Sequence, residues 1–268
     1  MAIVTFPTAP RHSTLPPPPL PDATADWALF LDVDGTLLDF VDDPAAVRPD
    51  AALLQLLQQL HRALDGALAL VSGRELDELD RLFGQPRWAA AGLHGLQLRQ
   101  PDGQRRDMPV PPASLARMRE GVTRLAAGFA GVRLEDKHTA IALHCRQLAQ
   151  PLAVLRAAAE QLAATWPDYE LQAGHQVLEF KPAGADKGAA LDALMQYPPF
   201  HGRRPVCLGD DLTDEHAFDV VNRRRGLSVR VGAREPSRAS TSLADPAAVR
   251  AWLKHVLHTL TQGVPDAP

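Results

Sequence analysis

Asp32 and Asp34 stand one residue apart at the end of the apolar run Trp27–Leu31, and Gly35 and Thr36 follow them. Residues two apart in extended chain share a side, so both carboxylates can address one small target. Gly35 lets the backbone approach that target closely, and Thr36 adds a hydroxyl beside it. An Asp-Gly turn between two elements accounts for the same residues without any chemistry. A calcium loop does not, because Gly35 arrives two positions too early for the Asp-x-Asp-x-Asp-Gly pattern. Three more polar groups follow apolar runs or open a helix: Ser72 with Gly73 and Arg74, Lys187, and Asp210 with Asp211. Lys187 falls in the first turn of an expected helix, where the dipole disfavours a cation, so a local anion explains it better than stability does. Together these ends supply, in chain order, two aspartates, a serine, a lysine and two further aspartates.

The elements that carry these groups read as an α/β pattern. Trp27–Leu31 suits a strand buried on both faces, as in a parallel sheet. Pro49 opens a helical stripe of Leu53, Leu56, Leu57, Leu60 and Leu64, and GALALVSGR then gives a second strand. Strand, helix and strand in this order make a right-handed crossover, which brings two loops to one side of a sheet. Ligands of open parallel sheets collect beyond the carboxyl ends of the strands, which is where all these groups lie. Asp186 is a suitable N-cap for the helix bearing Lys187. RPVCLGDD repeats the strand-then-carboxylate device, and in the following LTDE Thr213 suits a cap, with Asp214 and Glu215 at the positive helix end. Ser228–Val231 reads as a further strand, and Asp245 and Pro246 begin a closing helix striped by Val249, Trp252, Leu253, Val256 and Leu260.

Between these halves the segment Pro101–Pro112, rich in Pro, Asp and Arg, looks like a boundary. Beyond it come helix, two strands, helix and two strands, the pattern of a small sheet with helices on one face. Its strands place Ile141, Leu143, Cys145, Leu178 and Phe180 inward, and His144, Arg146, Glu179 and Lys181 on the opposite side. A solvated face explains those polar residues as well as a binding face does. Three parts follow: a proline-rich tail at 1–22 expected to be mobile, a core at 23–112 and 183–268, and an insertion at 113–182.

The chain has 268 residues, 46% of them hydrophobic and 22% charged, enough for one large or two modest domains. A net charge of −4 suggests neither nucleic acid nor an anionic membrane as partner. No stretch approaches the roughly 18 apolar residues of a membrane span, and the first residues lack the continuous apolar segment expected of a secretory signal. The two cysteines, Cys145 and Cys207, lie in apolar runs and cannot form a disulfide framework. A reducing, cytoplasmic setting is expected.

The set DVDGT (32–36), VSGR around Ser72, DKG around Lys187 and GDDLTDE (209–215) resembles the haloacid dehalogenase superfamily of phosphatases. AGLHG (91–95), EDK (135–137) and GHQVLEFKP (174–182) resemble the trehalose-6-phosphate phosphatases within it, over roughly residues 25–260. The resemblance implies a doubly wound, Rossmann-like parallel core with an inserted α+β cap. It implies hydrolysis of trehalose 6-phosphate through an aspartyl-phosphate, with Asp32 as nucleophile and Asp34 as acid and then base, while Ser72 and Lys187 hold the phosphoryl oxygens. Magnesium is the implied cofactor, held by Asp32, the Asp34 carbonyl, Asp210 and Asp211. Substrate contacts are implied at Asp32, Val33, Asp34, Arg74, His94, Gly95, Glu135, Lys137 and Glu179. His138 and His144 stay open between substrate contact and solvated surface. A functional link to a trehalose-phosphate synthase is a further implication. The competing readings are a phosphatase for sucrose phosphate or mannosyl phosphoglycerate, a non-catalytic sugar-phosphate sensor, and a scaffold acting through the proline tail.

Overall fold

The computed structural model describes residues 15–22, 25–39, 48–84, 87–137, 139–174 and 176–262. His138, one of the two histidines left open above, lies outside them. Strand β1 (Trp27–Leu31) is buried along its whole length. It lies between β2 (Leu68–Val71) and β10 (Arg204–Gly209), parallel to both, with Phe30 registered against Ala69 and Cys207. A strand with neighbours on both edges and cover on both faces has no use for polar side chains, which is why the run is continuous.

The sheet continues on one side through β11 (Leu227–Val231) and β12 (Thr241–Leu243), and on the other through β3 (Ala89–Gly92), β4 (Gln97–Arg99) and β5 (Arg105–Asp107). Its eight strands run β12-β11-β10-β1-β2-β3-β4-β5, parallel except for β4 and β5. The expected boundary at Pro101–Pro112 therefore begins later than its composition suggests, because Arg105–Asp107 still belongs to this sheet. Charged residues on an edge strand are ordinary, so composition alone did not reveal it. The strand order reverses at β1, and the carboxyl ends of β1 and β10 flank the switch point where ligands collect in such sheets.

Helix α1 (Ala51–Ala63) buries Leu53, Leu56, Leu57 and Leu60, each stabilising the core by about 1.5–3 kcal/mol relative to exposure. Its N-cap is Asp50, whose carboxylate accepts from Leu53 N at 2.7 Å, so Pro49 precedes the cap and does not open the helix. It packs on α7 (Pro246–Gln262), while α5 (Lys187–Leu194) packs on α6 (Asp214–Arg223). These pairs clothe the parallel sheet as the doubly wound reading requires.

A second, antiparallel sheet has the order β6-β7-β9-β8, from β6 (Arg133–Lys137), β7 (Ala140–His144), β8 (Tyr169–Gly174) and β9 (Val177–Pro182). Ile141, Leu143, Leu178 and Phe180 bury against Met118 and Val122 of α3 (Pro112–Ala127) and Leu155 and Ala159 of α4 (Leu152–Ala163). The opposite face is not a plain solvated surface. Glu179 and Lys181 are only 5% and 2% exposed, and Lys181 Nζ donates to Ala185 O at 2.5 Å and pairs with Glu170 Oε1 at 3.0 Å. Between the sheets lies a small apolar cluster of Leu93, Leu96, Ala140 and Ala185, with Met108 against it.

The described part of the proline tail is packed. Pro16 O accepts from Ser242 N of β12 at 3.0 Å, Pro19 O from Trp252 Nε1 at 3.3 Å, and Pro18 and Pro21 are buried. The expectation of mobility fails for residues 15–22, since prolines that lack N–H groups still offer carbonyls and apolar rings.

Candidate active site

Lys187 opens α5 and is 2% exposed, its helix capped by Asp186, which accepts from Ala189 N at 2.7 Å. The anion that its helix position demanded is the protein's own. Lys187 Nζ donates to Asp32 Oδ1 at 2.7 Å and to Asp214 Oδ1 at 2.8 Å. Burial opposes the ammonium, but Asp214 and Asp32 outweigh it and hold Lys187 well above its ordinary value. Asp214 is 1% exposed and is the site residue that sequence reasoning missed. Its place in a first helical turn suited a surface cap equally well, and only its spacing of four from Asp210 hinted at a shared loop. Its Oδ2 accepts from Asp210 N at 3.1 Å and Asp211 N at 3.2 Å, which fixes the loop leaving β10.

Within that loop the two aspartates differ. Thr36 Oγ1 donates to Asp210 Oδ1 at 3.2 Å across the switch point. Asp211 Oδ1 accepts from Thr213 N at 2.8 Å, Thr213 Oγ1 at 2.5 Å and Asp214 N at 3.3 Å. Thr213 is the N-cap of α6, as the sequence suggests, but its side chain makes no capping bond; its hydroxyl donates to Asp211, whose carboxylate takes the Thr213 and Asp214 amides in its place. Arg234 closes the loop from outside, donating to Asp210 O at 3.2 Å, Asp211 O at 2.8 Å and Glu215 Oε1 at 2.9 Å.

Asp32, Asp210 and Asp214 bring ligand atoms within 4.8 Å of one another, whereas Asp211 is not in this group. Three carboxylates crowd around one ammonium, and burial raises Asp214 well above the usual carboxylate range. Burial accordingly pushes Asp32 up to about 8, with Lys187 opposing and Asp210 adding, and pushes Asp210 up to about 7, with Asp214 adding. Asp32 Oδ2 is buried without a partner. An orphan oxygen among crowded, oxygen-only donors whose ionisation burial opposes fits a small divalent cation such as magnesium.

Asp32, Lys187 and Asp211 line a cavity of about 490 Å³, together with Asp34, Ser72, Arg74, His94, Glu135, Lys137 and His144. Ser72 is 1% exposed and its Oγ accepts from Arg74 N at 3.2 Å. Arg74 grips Asp34 with two parallel bonds, Nε to Oδ2 and Nη2 to Oδ1, both 2.7 Å, and its Nη1 donates to Glu78. Val33 has a fully buried side chain, and its carbonyl accepts from Leu37 N, so only its backbone N–H remains for a ligand.

The second sheet supplies Glu135, Lys137 and His144 to this cavity, and Glu179 adjoins Lys137. His144 Nε2 lies 2.6 Å from Glu135 Oε2, Lys137 Nζ 3.4 Å from Glu179 Oε2, and His94 Nε2 3.7 Å from that same oxygen. His94 Nδ1 and Glu179 Oε1 are buried without partners. His94 has φ 55° and Gly95 φ +102°, and a Cβ on Gly95 would sit 2.6 Å from Asp186 O. Glycine is required there, and the close approach seats the His94 turn against the start of α5. Of the expected site residues, Asp32, Asp34, Ser72, Arg74, His94, Glu135, Lys137, Lys187 and Asp211 line the one cavity, while Val33, Gly95, Glu179 and Asp210 do not.

The trehalose-phosphatase family matches residues 30–247 of the chain. The probable trehalose-phosphate phosphatase of Sinorhizobium fredii is 43% identical over 227 residues, 84% of this chain and 85% of that protein. The trehalose-6-phosphate phosphatase of Escherichia coli is 42% identical over 242 residues, 90% of this chain and 91% of that one. A crystal structure of a trehalose-6-phosphate phosphatase related protein superposes with a TM-score of 0.70 at 26% identity, covering 87% of this chain and 98% of that chain. With the buried Asp32–Lys187–Asp214 cluster at the switch point and a match over residues 30–247, this chain belongs to the trehalose-phosphatase family, and it is a phosphoric monoester hydrolase.

Proposed function

We propose that the protein hydrolyses trehalose 6-phosphate to trehalose and inorganic phosphate, with Asp32 as nucleophile. The observation that carries this reading is the state of Asp32: one oxygen is held by Lys187 and the other is buried without a partner at the cavity floor. A phosphate monoester is among the slowest of bonds to hydrolyse, so the site must supply a nucleophile, neutralise the phosphoryl oxygens and protonate the leaving alkoxide. Asp32 attacks phosphorus and becomes an aspartyl-phosphate, which water then cleaves. Lys187 and Ser72 bind the phosphoryl oxygens. Asp34 gives a proton to the departing sugar oxygen and later takes one from the attacking water.

Magnesium fits Asp32 and Asp210, with the Asp34 carbonyl as the third protein ligand; when bound it neutralises the charge of the nucleophile and phosphoryl group. Asp214 keeps its oxygens on Lys187 and the loop amides. Residues 113–182 serve as the cap that selects the sugar. Glu179, His94, Lys137 and Glu135 offer hydroxyl-sized hydrogen-bonding groups, two of them with orphan atoms that each cost about 1–3 kcal/mol until paired. A non-reducing disaccharide supplies many hydroxyls and no charge beyond its phosphate, which suits this wall.

The test is phosphate release from a panel of sugar phosphates, with magnesium, with chelator, and with Asp32→Asn. Preference for trehalose 6-phosphate, lost in both controls, supports the whole reading. Equal turnover of many sugar phosphates removes the cap assignment. No turnover by folded protein with magnesium present removes the catalytic reading in favour of a sugar-phosphate sensor.

A further inference from the structure

Asp34 is proposed above to move a proton, yet both its oxygens are engaged by Arg74 at 2.7 Å. A carboxylate held edge-on by a guanidinium fork is fixed in place and has its inner lone pairs occupied. It cannot hand a proton to a leaving oxygen on that side without giving up part of the grip. Arg74 is only 7% exposed, so releasing it outright leaves a cation in poor solvent. Glu78 removes that difficulty. It lies one helical turn on, in the first turn of α2 (Leu76–Leu82), with its side chain 37% exposed at the cavity wall, and it accepts from Arg74 Nη1. Arg74 thus touches both carboxylates at once and retains one ion pair when it loosens the other.

We infer that Arg74 and Glu78 form a latch on Asp34, a pair of positioning residues that sets the acid-base carboxylate in the free enzyme and lets it go during turnover. This inference rests on the phosphatase reading and changes one part of it. Arg74 acts through Asp34 and is not a ligand of the sugar or the phosphoryl group. Glu78, which neither the motifs nor the family resemblance singled out, is the partner that makes release reversible. Tight guanidinium pairing to Asp34 alone would trap the carboxylate; no pairing would leave it without a fixed direction.

The experiment is steady-state hydrolysis of trehalose 6-phosphate by wild type, Glu78→Gln and Arg74→Lys, with thermal midpoints measured in parallel. Lysine keeps the charge and loses the fork. The latch predicts that both variants lose about tenfold or more in kcat with KM within about threefold, since the grip acts on Asp34 and not on the substrate, and its release belongs to the step towards the transition state. A KM raised about tenfold in Arg74→Lys with kcat kept makes Arg74 a substrate ligand and overturns the latch. Unchanged kcat in Glu78→Gln also overturns it. If Arg74→Lys fails to fold, Glu78→Gln, a change at a partly exposed side chain, decides alone. A wild type that releases no phosphate removes the phosphatase reading, and the latch with it; an active wild type with kinetically silent variants removes the latch only.

Discussion

His94 gives the structure a distinct dependence on pH. Its ring is buried over the cavity, and burial lowers its pKa from 6.5 to about 3, with Lys187 and Lys137 adding to the effect and Asp211 opposing it. In the unfolded chain the ring titrates normally. The folded pKa is therefore the lower one, so the unfolded state takes up the proton first. The stability due to neutral His94 is fully present above pH 6.5 and is lost as pH falls from 6.5 towards 3. Between pH 7 and pH 5 the unfolded state gains about 2 kcal/mol from protonating this one residue, while the folded state gains almost nothing. The perturbation is His94→Asn, because asparagine tolerates the left-handed backbone at φ 55° better than other side chains do. Urea unfolding followed by tryptophan fluorescence at the two pH values gives the readout. Wild type should lose about 2 kcal/mol more than the variant between pH 7 and 5. Carboxylates elsewhere contribute equally to both proteins and cancel in the comparison. Parallel curves would refute the claim that His94 is held neutral by burial.

Lys187→Met should destabilise the protein by about 3–5 kcal/mol in the same unfolding assay at pH 7, because it strands Asp32 and Asp214 as uncompensated buried carboxylates. A loss below about 1 kcal/mol would mean that the cluster is wetter than its burial indicates. Gly209→Ala places a Cβ 2.1 Å from Asp214 Cγ, so Asp214 must move and release the amides of Asp210 and Asp211. Magnesium titrations followed by thermal shift should then show at least about tenfold weaker binding; an unchanged titration would separate Asp214 from the metal loop.

Three of the four polar ends were legible because each follows a continuous apolar run, and a run of that kind has few structural readings. Lys187 was the most informative single residue, since a lysine in a first helical turn asks for an anion, and Asp32 and Asp214 supply it. The division of labour within GDDLTDE was not legible. Asp210, Asp211 and Asp214 are chemically identical, and only the path of the chain makes one a candidate metal ligand, one the acceptor of helix-start amides and one the partner of a buried lysine. Thr213 holds the cap position but Asp211 takes the amides there for the same reason, as both side chains can accept a first-turn amide. β5 escaped notice because Arg105, Arg106 and Asp107 are exposed, so an edge strand made of them has no hydrophobic signature. Glu179 and Lys181 alternate as an outward face should, but no periodicity tells whether that face meets water or a second sheet. The described prolines of the tail misled in the other direction, since their composition says nothing about the carbonyls that β12 and Trp252 use.

Those prolines also bear on how the molecule avoids its neighbours. The eight-stranded sheet has two ends, and an open sheet end is a template on which another chain can polymerise. At β12 the template is occupied by Leu15 and Pro16, whose carbonyls take the Ser242 hydroxyl and amide. Pro16 accepts but has no amide to pass on, so the ladder does not continue through it. At β5 the exposed Arg105, Arg106 and Asp107 set charges where an incoming strand would have to lie. Both described margins of the sheet are therefore closed to an incoming strand, and trimming the strap would bare the β12 margin without touching the cavity.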